Sequence, residues 1–151
     1  MKNLILIIVF LLLCPSLVLA EQERPTFSKH WQSFTINEKN LYLRAHNVGE
    51  INIFIAVKAL MPEPLDKSLS DKLWQLYTEM HINFDVIGVT VLSNVVSELY
   101  NDPANAYVAI GEMARIARDK IQGKSVDDKL LKARREAQIS YESYQDFLKN
   151  K

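Results

Sequence analysis

Apolar residues fall along this chain in two ways: one unbroken run near the start, then a series of spaced patterns. The run, Leu4 to Leu13, follows Lys2 and holds ten residues, about half of the roughly twenty that a helix needs to cross a bilayer. Small side chains close the segment at Ala20. This arrangement predicts a secretion signal over residues 1–20, cleaved after Ala20, and a processed chain that starts at Glu21 and keeps no membrane anchor. The expected location is periplasmic or secreted.

Beyond the leader the spacing is helical. Residues 21–30 are polar, include Pro25 and show no periodicity, so they read as a flexible lead-in. A single helical domain is expected over 31–151. Thr35 and Glu38 form a T-x-x-E capping box, which starts a helix at Ile36. Leu41, Ala45, Val48, Ile51 and Ile55 then recur at steps of three and four, predicting one core-facing stripe that ends near Leu60, before Pro62. Ser70 is placed to cap a second helix through Leu73, Trp74, Tyr77 and Met80.

Residues 82–91 alternate enough to suit a strand, but nothing nearby could pair with one. The segment reads as a connector, with Thr90 capping a third helix that carries Leu92, Val95, Val96 and Leu99. Pro103 and the side chains of Asn101, Asp102 and Asn105 break the chain. A fourth helix follows to Gln122 on Ile110, Met113, Ala114, Ala117 and Ile121, and Gly123 ends it. Ser125 with Asp128 caps a fifth, with Leu130, Ala133, Ala137, Tyr141, Tyr144 and Leu148 on one stripe. The expected fold class is all-α, a compact bundle of four to five helices.

Charge and cysteine narrow the chemistry. The chain has 18 basic and 18 acidic residues, and loss of Lys2 with the leader leaves a formal charge of −1. No basic excess draws it to nucleic acid or anionic lipid. The one cysteine, Cys14, lies in the leader, so the processed domain has no disulfide and no thiolate ligand. Leu13 stands where lipoprotein processing wants a small residue, which argues against lipid attachment at Cys14.

Two groups of residues carry a resemblance. Trp31, Lys39, Tyr42, Leu43, Ala45 and Gly49 form an opening signature, and Tyr100, Asp102, Pro103, Asn105, Lys120 and Gly123 form a Tyr-x-Asp-Pro-x-Asn turn with a closing Lys-x-x-Gly. On these the chain resembles a family of small, signal-peptide-bearing, all-helical bacterial periplasmic proteins. It departs from the pattern at Ala45, where glycine is usual, and at Ala109, where a second proline is common. The resemblance implies an exported helical domain and no particular activity. In size, helicity and leader the chain is also similar to periplasmic toxin-immunity proteins, without shared motif residues.

Candidate chemistry is sparse. Ala45 and Gly49, one turn apart beside Tyr42, allow a close helix approach; packing inside the domain is the ordinary use of such a pair, and a surface groove is the functional one. The Asp102–Asn105 turn gathers oxygens that serve helix ends more readily than a cation. His46 and Glu50 share a face but lack a third ligand, so no metal and no cofactor are expected. Lys129, Lys132, Arg134 and Arg135 on the last helix read as a solvated face rather than a basic docking patch. No nucleophile elbow or phosphate loop is present, and Glu98 with Asp102 is the least poor pair for a small carboxylate-dependent envelope hydrolase. The expected function is therefore non-enzymatic binding of a protein partner or envelope component, immunity- or inhibitor-like, with a structural or chaperone-like module as a further reading. The expected contact residues are Trp31, Tyr42, Ala45, Gly49, Asp102, Asn105 and Tyr107.

Overall fold

The computed structural model describes residues 26–61 and 66–150. The expected leader, its cleavage site, Cys14 and residues 21–25, half of the expected lead-in, lie outside them. The described residues are helical, without a strand: α1 (Phe27–Ser33), α2 (Ile36–Ala59), α3 (Lys67–Met80), α4 (Phe84–Ile87), α5 (Val89–Leu99), a 3-10 turn (Pro103–Asn105), α6 (Ile110–Ile121) and α7 (Asp127–Lys149). The all-α bundle is as expected. Besides the five expected helices it contains two short ones, α1 and α4.

The pair α5 and α6 forms the centre. Leu92 and Val96 from α5 meet Met113, Ile116 and Ala117 from α6, all buried, and each such aliphatic side chain contributes about 1.5–3 kcal/mol. α2 packs across both helices, α3 packs on α2, and α7 packs on α6 and the 3-10 turn. The faces expected for α5 and α6 are the faces that are buried.

Helix α1 corrects the reading of residues 27–30 as lead-in. Thr26 accepts a hydrogen bond from the Lys29 N–H, capping the helix. Trp31, fully buried, donates through Nε1 to Ser97 Oγ at 2.9 Å. A long-range anchor of this kind orders a segment that has no periodicity of its own.

The capping box at the head of α2 forms as read: Thr35 Oγ1 accepts from the Glu38 N–H, and Glu38 accepts from the Thr35 N–H at 2.7 Å. That backbone hydrogen bond, helped by the Thr35 hydroxyl, holds the Glu38 carboxyl below its ordinary value. Other caps differ from expectation. Asp66, not Ser70, caps α3 by accepting from Ser68 and Leu69. Thr90 lies inside α5, which begins after Gly88, a residue at φ 77° that separates it from α4. At α7 the cap residue is Val126, without a side-chain hydrogen bond, in place of the Ser125–Asp128 box. The α7 stripe reaches the core through Leu130, Ala133 and Ala137, and its continuation at Tyr144 and Leu148 is exposed.

Candidate functional site

Helix α2 is inside out. Toward the bundle it presents Leu43 and half-buried Phe54 together with a series of polar groups. Asn47 donates to the Ile82 carbonyl at 3.1 Å and accepts from the Ile82 N–H at 2.9 Å. Asn40 accepts from Ser93 at 2.7 Å, Lys39 donates to Ser97 at 3.2 Å, and Glu50 accepts from Arg115 at 2.6 Å. Arg115 also holds Glu112, so one guanidinium joins α2 to α6.

The opposite side carries the aliphatic residues. Leu41, Ala45, Val48, Gly49, Asn52, Ile55, Ala56 and Ala59 are all exposed, and their helical spacing places them on one face about 27 Å long. None is charged. Leu41 is 68% exposed, Val48 54% and Ile55 57%. This overturns the expectation that Leu41, Ala45, Val48, Ile51 and Ile55 face the core; of these, only Ile51 is even half-buried. The physical reason is that the polar residues of the other face find specific partners on α5, α6 and Ile82, and those hydrogen bonds decide which side turns inward.

Ala45 and Gly49 therefore do not pack inside the domain. A methyl built on Gly49 meets nothing within 4 Å. Between the exposed side chains of Leu41, Val48 and Ile55, these two small residues leave a shallow surface that another helix can approach closely. The close internal approach lies at Gly111 on α6, where an added methyl would sit 2.3 Å from Nε2 of His46.

The remaining expected contact residues divide. Trp31 and Asn105 are core elements: Asn105 is 1% exposed, donates to the Leu99 carbonyl at 2.6 Å and accepts from Arg134 at 2.8 Å. Tyr42 is half-buried, edge-on to Trp31 and stacked on His46. Asp102 is exposed, accepts from the Ala104 N–H to start the 3-10 turn, and pairs with Arg134 at 2.6 Å. Tyr107 is partly exposed and packs on Tyr141, apart from the α2 face. Glu98, the partner suggested for Asp102, instead accepts from Lys120 at 2.8 Å. These two carboxylates are paired with different cations.

Tyr100, part of the turn signature, donates to the Val108 carbonyl at 2.6 Å. Burial holds its phenol well above the ordinary tyrosine value, with a further push from Tyr42. It is a structural hydroxyl that stays protonated.

The sequence reading passed over Asp119. It is 1% exposed and accepts from Arg118, Lys124 and Lys129. Burial pushes its carboxyl up, but the Lys129 hydrogen bond and the Arg118 charge, with Lys124, outweigh that and hold it below the usual aspartate value. Arg118 also donates to the carbonyls of Glu79 and His81 at the end of α3. The cluster thus fastens α3 and α7 to α6. Helical spacing places Asp119 beside Glu112 and Arg115, away from the apolar stripe, so nothing in the sequence pattern signals its burial.

Among the described residues no three histidine, cysteine, aspartate or glutamate side chains gather as a metal site. No single described helix is long and apolar enough to cross a membrane. No family model, curated protein or solved structure matches this chain.

Proposed function

We propose that the chain is an exported, non-enzymatic helical module that recognises a protein of the cell envelope through the outward face of α2. The observation that supports this reading is the inversion of α2, whose hydrogen-bonding groups are spent inside the domain while its leucine, valine and isoleucine side chains point away from it. Exposed contiguous apolar surface of this kind marks an interaction site. The residues at the centre of this face carry no charge, and exposed Arg44 lies only at its border, so the partner is apolar opposite the centre: a charge buried there would lose its water without a counter-ion. An apolar helix seated over Ala45 and Gly49 meets both conditions. The resemblance to periplasmic immunity proteins in size and leader makes inhibition of a toxin the first function to test.

The test replaces Leu41 and Ile55 together by aspartate. Both side chains are solvent-facing, so the helical circular dichroism is expected to stay unchanged, while capture of the wild-type protein's envelope partner is lost. Arg135→Ala, on exposed α7 surface, serves as the control and retains capture. Equal capture by the double aspartate variant, or no specific capture by the wild type, contradicts the reading.

A further inference from the structure

A second site lies away from the α2 face, in a cleft of about 310 Å³ bounded by α1, residues 107–109, α6 and α7. Its walls are aromatic and aliphatic. Tyr107 and Tyr141 form one side, their ring centroids 5.2 Å apart at 41°, and Phe27 also lines the cleft. The acidic side chains that line it are Glu112 from α6 and Glu136 from α7, and no lysine or arginine lines it. Arg115 engages Oε2 of Glu112 through both of its contacts with that residue, and Glu136 lies 3.8 Å from Lys132 in an exposed, solvent-screened pair.

We infer that this cleft binds a small organic cation, an ammonium group carried on a short apolar body. Three features select that class. Aromatic faces attract a cation through their negative quadrupole and accept an apolar body equally well. The two carboxylates supply the opposite charge, repel anions, and lose hydration that a neutral apolar ligand does not replace. The volume sits at the small end of ligand sites, about 300–1,000 Å³, which suits one compact molecule. The inference is independent of the α2 face, and it gives Tyr107 a role that the docking reading leaves open.

The experiment titrates the processed protein with choline and with 3,3-dimethylbutan-1-ol, which has the same shape without the charge, following the Tyr107 and Tyr141 ring resonances. Choline is expected to shift both rings and to bind about tenfold more tightly than the alcohol. Glu136→Gln, an exposed substitution that leaves the fold intact, is expected to weaken choline about threefold. Tyr141→Phe keeps the ring and retains binding, whereas Tyr141→Leu loses it. Ring resonances unmoved by choline, equal affinity for the two probes, or undiminished choline binding in Glu136→Gln would each overturn the inference.

Discussion

His46 fills the space where a side chain at position 111 would begin: a methyl on Gly111 would lie 2.3 Å from the imidazole Nε2. α2 and α6 are thus drawn together at a glycine, and the imidazole that meets it is stacked on Tyr42 and lies 3.7 Å from Glu50. Glycine inside a helix ordinarily costs about 0.5–1 kcal/mol against alanine, and here the contact explains its presence. Gly111→Ala is expected to lower unfolding stability by about 1–2 kcal/mol, the displacement of His46 exceeding the gain in helix propensity. Gly49→Ala meets no atom and is expected to raise stability by about 0.5–1 kcal/mol. Urea unfolding of the two variants checks the contrast, and equal shifts would remove the distinction drawn between the two glycines.

Asp119 makes the fold sensitive to acid. Its folded pKa lies below the usual unfolded aspartate value of about 3.9. Its contribution is therefore complete above that value and is lost as the pH falls through the lower folded value. Asp119→Asn is expected to cost about 2 kcal/mol at neutral pH and to flatten the acid limb of the stability profile. Urea midpoints measured from pH 7 down to pH 2 test this. A variant that keeps the wild-type slope would assign the acid sensitivity to other carboxylates.

Asn105 and Asp102 adjoin one another in the turn signature, yet their replacement is expected to differ. Asn105→Ala removes from the core one of the two donors to the Leu99 carbonyl, which keeps the Asp102 N–H at 3.3 Å, and takes an acceptor from Arg134, costing about 1–2 kcal/mol. Asp102→Ala removes an exposed cap and an exposed ion pair, for about 1 kcal/mol or less. Trp31→Ala opens a cavity at a fully buried site and is expected to cost about 3–5 kcal/mol. Thermal unfolding of the three variants orders them. A mild Trp31→Ala would contradict the anchoring of α1.

Local chemistry was readable where the decisive contacts are near in sequence. The Thr35–Glu38 box starts α2 as read, the Asp102 and Pro103 turn interrupts the chain where expected, and Gly123 adopts φ 75° after α6. The buried faces of α5 and α6 were legible because each has a single apolar side. α2 was not, because apolar residues lie all around it: Leu43 and Phe54 on one side, Leu41, Val48 and Ile55 on the other. Periodicity identifies the helix but cannot choose between two apolar faces. That choice is made by Asn40, Asn47 and Glu50, whose partners are 35 to 65 residues distant. The Ala45–Gly49 pair was recognised as a place for close approach, and the structure turns it toward solvent. Trp31 and Asn105, singled out as contact residues, instead hold the core.

The outward face of α2 is tested most directly by a photo-crosslinking amino acid placed at Val48 in the full-length chain, with the same probe at Lys132 on α7 as the reference. Irradiation of cells is expected to give a discrete protein adduct from position 48, absent from position 132 and abolished when Leu41 and Ile55 are aspartate. No adduct from position 48, or the same adduct from both positions, would contradict a docking role for that face.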